Sequence, residues 1–234
     1  MLALIAFISV TASHGQASSE ATFEHYKAFN NIEFDYTILM PASYDADQEY
    51  PALFVFSDGE MDRESVSRAA EDMFGSSAAA EWLIILPTIP EDSWHTHPAH
   101  HALEAFLEQI KDDYNVEGDT FHLTSFGEGS RAGITYASMS STFWSSFTFT
   151  NPRPWENWQD RDIERASDRN KHISYRVVVG ENDQEGKALA EKVAELFSKS
   201  DAPLTIEVVA GEGTNLRQAL TGLLMAEVQK NAGR

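Results

Sequence analysis

Apolar residues in this 234-residue chain recur in short continuous runs, and the stretches between them have helical spacing. The runs at 51–56, 82–86 and 121–126 are typical of central strands that are covered on both faces. Residues 32–40 instead alternate apolar and polar positions, which predicts a half-buried antiparallel strand. Residues 18–31 are polar, and we expect them to form an irregular arm.

The clearest helical pattern lies at 97–114, where apolar residues share one face and acidic residues the other. The apolar residues of that face are Leu103, Phe106, Leu107 and Ile110. Further helices are predicted at 63–80, 131–140, 186–198 and 216–229, and further strands at 143–150, 173–179 and 204–209. Residues 151–170 contain two prolines and many charges, which predicts a cap or a long loop.

One or two antiparallel strands followed by alternating strands and helices predict an α/β fold. Its sheet should be mostly parallel and twisted, with helices on both faces, as a three-layer sandwich. No repeat or composition shift marks a second domain, so residues 18–234 are predicted to form one. Ligands in such proteins bind beyond the carboxyl ends of the strands. The loops expected there are 57–60, 88–101, 125–130, 180–185 and 211–215.

Composition limits the partners of this fold. The formal net charge is −20, and such an acidic surface repels nucleic acid and anionic membranes, so neither is predicted as a partner. The chain has no cysteine, which excludes disulfide bonds and a thiol nucleophile. No cofactor is predicted, because the glycines around Gly127 match neither a dinucleotide-binding nor a phosphate-binding loop.

The first 17 residues resemble a secretory signal peptide. An apolar run at 2–10 is followed by small and polar residues, and Gly15 and Ala17 suit a cleavage site after residue 17. No lysine or arginine precedes Lys27, so the usual positive segment is absent, and a buried N-terminal strand is the alternative. The apolar run is too short to span a bilayer. The sequence therefore predicts a secreted or periplasmic protein without membrane insertion.

The strand predicted at 121–126 leads through a glycine-rich turn into a helix, within the segment FHLTSFGEGSRAG. This segment resembles the nucleophile elbow of α/β-hydrolases, where a serine occupies a sharp strand-to-helix turn within Gly-x-Ser-x-Gly. Other similar segments are FDYTILMPASYDADQEYPALFVFSDG, IILPT, RVVVGEND and IEVVAGEGTN. From about Phe34 onward, the chain resembles secreted esterases of the feruloyl esterase, polyhydroxybutyrate depolymerase and esterase D kind. The resemblance implies an α/β-hydrolase fold and an ester-like substrate.

When the catalytic triad of the family is matched to this sequence, two of its three residues are absent. Gly127 stands at the serine position, with Ser125 and Gly129 at the two glycine positions. Asp183 stands at the position of the triad acid, but Thr214 stands at the position of the histidine. Glycine has no nucleophilic group, and a threonine hydroxyl is not a base near neutral pH. The resemblance therefore implies a catalytically impaired esterase homologue, a pseudoenzyme.

The oxyanion loop of the family often carries His-Gly, whereas this chain carries Asp58 and Gly59. Asp58, Glu128 and Asp183 could converge in the pocket, where close carboxylates raise one another's pKa and could hold a proton or a cation. We favour the alternative, in which Asp183 makes a turn or a helix cap and Glu128 points to water. The remaining pocket is then predicted to bind a small molecule or a partner.

An active ester hydrolase with a rearranged site is a second hypothesis. Ser125 or Ser130 would be its nucleophile, and a histidine of the 95–101 cluster its base. Ser125 falls within the predicted strand end, where a hydroxyl is poorly exposed. Ser130 falls in the first helical turn, where a polar group commonly serves as a helix cap.

A metal-dependent activity at the histidine cluster is the third hypothesis. The candidate ligands are His95, His97 and His101, of which the last two are four residues apart and could share a helix face. No glutamate stands nearby at a recognised ligand spacing, so we do not predict a resident metal.

Overall fold

The computed structural model describes residues 20–28, 31–41, 43–58, 66, 82–88, 97–139, 142–153 and 159–210. The described strands are β1 (Glu20–Lys27), β2 (Glu33–Met40), β3 (Tyr50–Phe56), β4 (Leu83–Pro87), β5 (Val116–Phe126), β6 (Trp144–Thr150), β7 (Ser174–Gly180) and β8 (Leu204–Val209). The described α-helices are α1 (His97–Asp113), α2 (Ser130–Met139), α3 (Asp160–Arg169) and α4 (Gln184–Phe197). The segment 1–17 and the helices predicted at 63–80 (apart from Val66) and 216–229 lie outside the described residues.

The eight strands form one sheet in the order β1-β2-β4-β3-β5-β6-β7-β8. β2 is antiparallel to both of its neighbours, and every pairing from β4 to β8 is parallel. This architecture confirms the predicted α/β fold with leading antiparallel strands. It also brings the carboxyl ends of β3, β5, β6 and β7 to one edge of the sheet.

Two expectations about irregular segments were wrong. The polar arm expected at 18–31 contains β1, which pairs along its whole length with β2. Tyr26 of this strand packs against Phe34 and Phe106, with ring centroids 5.1 and 4.9 Å apart, so aromatic contacts hold it to the core. The segment 151–170, expected to be a cap or a long loop, contains α3, whose Ile163 and Ala166 are buried in an otherwise highly charged helix.

The described helices cover one face of the sheet. Phe54, Leu123, Phe147 and Tyr175 lie side by side in register on adjacent strands and therefore share that face. The rings that pack there include Phe106 of α1, Tyr136 of α2 and Phe197 of α4, and Tyr175 donates a hydrogen bond to the Ala166 carbonyl of α3. Helix α2, which contributes Tyr136 to this face, follows β5 after the three-residue turn Gly127–Gly129.

No helix in the described part of the chain is long and apolar enough to cross a membrane.

Candidate active site

The turn between β5 and α2 has the geometry of a nucleophile elbow. Strand β5 ends at Phe126, Gly127–Gly129 form one 3₁₀ turn, and α2 starts at Ser130. Gly127 has φ +51°, in the left-handed region that side chains rarely adopt. A Cβ on Gly129 would lie 2.3 Å from the Ser57 carbonyl oxygen, so a glycine is required for the turn to approach the end of β3. The backbone of the elbow is therefore retained.

The side chain of Asp58 fills the space above Gly127. A Cβ placed on Gly127 would lie 2.2 Å from Asp58 Oδ1, 2.5 Å from Cγ and 2.7 Å from Oδ2. The Glu128 N–H donates a hydrogen bond to the same Oδ1, at 3.1 Å. In the family the N–H after the nucleophile stabilises the oxyanion. The carboxylate of Asp58 thus occupies the space that a side chain on residue 127 would need, and it accepts from the backbone N–H that follows.

Asp183, which the sequence resemblance predicts at the position of the triad acid, is held by Arg153 and by the start of α4. Arg153 Nη1 donates to Oδ1 and Oδ2 of Asp183 at 2.8 and 2.7 Å, and the Gly186 N–H donates to Oδ1 at 3.0 Å. Burial opposes the ionisation of Asp183, but these donors outweigh it and hold its pKa below the ordinary value. The backbone N–H of Arg153 donates to the Gly127 carbonyl at 3.3 Å, which ties this ion pair to the elbow.

Arg153 is the site residue that sequence reasoning missed. It follows β6 in a segment expected to be a cap or loop. The only signal in the sequence was a positive charge between two prolines. Its hydrogen bond with Asp183 is the main cause that raises the pKa of its guanidinium, and the nearby charge of Asp58 adds to this. Arg153 therefore pairs with Asp183 and also interacts through its charge with Asp58.

The structure places the other predicted residues of the elbow as follows. Ser125 and Ser130 have no exposed surface, and their hydroxyls lie 3.4 Å apart beneath the turn. Glu128 is exposed, and its backbone N–H donates to Asp58. Gly59 and Thr214 lie outside the described residues.

The histidine cluster is described from His97 onward, without the His97 side chain, and His95 lies outside the described residues. His101 and its buried neighbour His100 both contact the Glu104 carboxylate, at 3.3 Å. The His100 ring also lies against Tyr136 of α2, with centroids 5.4 Å apart. Among the residues that the structure describes, no three His, Cys, Asp or Glu side chains are placed to hold a metal ion.

A serine–histidine pair occurs away from the elbow, on the other face of the sheet. His122 Nδ1 lies 2.7 Å from Ser146 Oγ, and the edge of the ring packs against Trp82. Burial lowers the pKa of His122 to about 4, so its ring is neutral near pH 7. Successive side chains of a strand point to opposite faces of the sheet, and His122 is on the face opposite to α2. It also lies four residues before the end of β5, so it does not serve the elbow.

Replacing Arg153 by methionine is expected to destabilise the fold by about 1–2 kcal/mol at pH 7, since Asp183 would lose its cation while remaining 14% exposed. The loss should be this small because Arg153 is itself 35% exposed, so solvent screens its charge. The pKa of Asp183 is held below its unfolded value of 3.8, so this stabilisation is present above that value and is lost as the pH falls through the lowered pKa. Urea denaturation at pH 7 and at pH 3 measures the difference.

Arg161→Met is the matched control, because Arg161 is an exposed arginine on α3. A loss in Arg153→Met that equals the control, or that persists undiminished at pH 3, would show that the ion pair does not stabilise the site.

Solved structures of esterases are similar to this chain. An S-formylglutathione hydrolase from Agrobacterium tumefaciens has TM-score 0.70 and 10% identity, over 94% of this chain and 96% of its own. A CE1 ferulic acid esterase from the anaerobic fungus Anaeromyces mucronatus has TM-score 0.64 and 14% identity, over 92% and 91%. A Bacteroides ovatus protein described as a dipeptidyl aminopeptidase IV has TM-score 0.69 and 8% identity, over 93% of this chain and 36% of its own, so this chain spans about a third of it.

No protein-family model and no curated protein matches this sequence. At these identities the solved structures establish the fold alone. The order of the strands, the elbow between β5 and α2 and the similarity to esterases over nearly the whole chain agree with one another. The chain has the fold of the α/β-hydrolase superfamily.

Proposed function

We propose that this chain is an esterase-like α/β-hydrolase homologue whose elbow no longer catalyses ester hydrolysis and instead binds a small molecule or a partner. The observation that carries the proposal is the carboxylate of Asp58, 2.2 Å from where a side chain on Gly127 would begin. A hydroxyl nucleophile needs that space, and an oxyanion needs the Glu128 N–H that Asp58 now accepts from.

The partners of the triad acid support the same proposal. In an active triad the acid accepts from a histidine and orients it. Here Asp183 accepts from Arg153 and from the Gly186 N–H. The residue at the histidine position in the sequence is Thr214. An arginine stays protonated near neutral pH and cannot remove a proton from a nucleophile.

The rearranged hydrolase is less well supported. Ser125 and Ser130 are fully buried, and each lies on the core side of the turn rather than above it. A nucleophile must reach the carbonyl carbon of a substrate, which needs an exposed hydroxyl. His100 and His101, the described histidines of the cluster, both contact Glu104 rather than either serine.

An ester hydrolysis assay tests the proposal directly. We expect the protein to hydrolyse neither p-nitrophenyl acetate nor methyl ferulate above the buffer rate, and to resist labelling by a fluorophosphonate. Methyl ferulate is chosen because similar structures are named ferulic acid esterases. Ser125→Ala and Ser130→Ala serve as controls. Turnover or labelling that disappears in either variant would overturn the proposal and favour the rearranged hydrolase.

A further inference from the structure

We propose that the elbow is a carboxylate-binding site whose resident ligand is the side chain of Asp58. This inference rests on the proposed function, because it assigns a ligand class to the same site. An external ligand of that class is a small carboxylate, which would bind at the elbow by taking the place of Asp58.

The carboxylate of Asp58 fits the space above Gly127 in the elbow. All three terminal atoms of Asp58 lie within 2.7 Å of the point where a Cβ on Gly127 would be. The space is therefore available only because residue 127 is a glycine. One oxygen of the carboxylate accepts from the Glu128 N–H at 3.1 Å. A carboxylate is thus seen in place, with a backbone donor and a cavity of its own size.

A positive charge lies beside the space that the Asp58 carboxylate occupies. Arg153 is bound through its backbone to the Gly127 carbonyl, and its guanidinium lies close enough to Asp58 for their charges to interact. Arg153 is already paired with Asp183, so one cation is shared by two carboxylates. Charge-assisted hydrogen bonds to carboxylates are stronger than neutral ones, and a nearby arginine favours an anion over a neutral ester here.

The native chain is closed to weak external ligands because its own carboxylate is held at the site. Asp58 follows the end of β3 by two residues, and the Ser57 carbonyl is packed against Gly129. The carboxylate is therefore tethered beside its site at a high effective concentration. A simple carboxylate in solution should compete poorly with this internal ligand, but it should bind once the internal ligand is removed.

Asp58→Ala tests the inference by emptying the cavity. We expect the Tm of this variant to fall by about 4–8 °C, since a charge-assisted hydrogen bond is lost. Sodium formate or acetate at 100 mM should then raise its Tm by about 2–4 °C above sodium chloride of equal ionic strength, as expected for a ligand with a Kd of tens of millimolar. The wild type should show no such carboxylate-specific rise.

Asp112→Ala is the matched control, because it removes an exposed aspartate from α1. A rise of equal size in this control or in the wild type, or no rise in Asp58→Ala, would overturn the inference. If Asp58→Ala does not fold, Asp58→Asn keeps the shape and removes the charge. The Glu128 amide proton resonance should then move upfield in an NMR spectrum, and an unmoved resonance would equally overturn it.

The ester assay separates this inference from the proposed function. Esterase activity in the wild type would contradict the loss of catalysis. An inactive wild type together with no carboxylate response in Asp58→Ala would overturn this inference and leave the proposed function in place.

Discussion

Gly127→Ser, which would rebuild the Gly-x-Ser-x-Gly serine, is expected to destabilise the protein by about 2.5–5 kcal/mol and to restore no esterase activity. The left-handed φ of +51° costs a side chain roughly 1–2 kcal/mol. The new Cβ would also displace the Asp58 carboxylate from the Glu128 N–H, and losing a hydrogen bond to a charged group costs about 1.5–3 kcal/mol. Urea denaturation measures the loss as a lower midpoint at unchanged slope.

Gly118→Ser is the matched control for this prediction. Gly118 has φ +63°, close to that of Gly127, but a Cβ there would meet nothing nearer than Thr120 Oγ1 at 4.0 Å. The control therefore reports backbone strain alone, and the excess loss in Gly127→Ser reports the conflict with Asp58. Because Gly127→Ser already displaces the Asp58 carboxylate, adding Asp58→Ala should cost little more, so the double variant should lose less than the sum of the two single losses. Equal losses in the two serine variants would contradict the contact between Asp58 and the elbow.

Gly129→Ala is expected to be more damaging, by about 4 kcal/mol or with failure to fold, which exceeds the 1–3 kcal/mol of ordinary overpacking. Its Cβ would lie 2.3 Å from the Ser57 carbonyl oxygen and 2.7 Å from that of Phe56. Both obstructing atoms belong to the backbone at the end of β3, which pairs with β4 and β5. Neither can rotate away, so the turn and the sheet would have to separate.

Gly133→Ala provides the comparison for Gly129→Ala. Its Cβ would meet only side chains, of which Ser125 Oγ is nearest at 2.8 Å, and alanine favours a helix over glycine by about 1 kcal/mol. We expect a much smaller loss, seen as a higher urea midpoint and yield of folded protein. A Gly129→Ala variant as stable as Gly133→Ala would show that the turn does not approach β3 this closely.

Much of the fold was predictable because its strands and helices leave strong local patterns. Continuous apolar runs marked the central strands, and the strand predicted at 204–209 matches β8 residue for residue. The amphipathic pattern at 97–114 matched α1 within one residue. β1 and α3 were missed because each has few apolar residues of its own. Tyr26 packs against Phe106, which is distant in sequence, and Ile163 is buried in a helix that is otherwise mostly polar.

The candidate site, like the fold, could be predicted only in part from the sequence. The sequence by itself determined where the elbow lies, because a buried strand, closely spaced glycines and a helix are consecutive along the chain. Through the resemblance to α/β-hydrolases, it also predicts a glycine and a threonine at the nucleophile and histidine positions, and an aspartate at that of the acid. These predictions use only residue identity and order together with that resemblance.

The tertiary structure alone decided what occupies the elbow. Asp58 and Glu128 are 70 residues apart, and Arg153 and Asp183 are 30 apart, so neither contact has a local pattern. Both arise because parallel strands carry distant loops to one edge of the sheet. From the sequence, Asp58 could face solvent, a metal ion or the space above Gly127. Which of these it faces depends on ångström-scale packing of β3 against the turn, and residue types and spacing do not encode that packing.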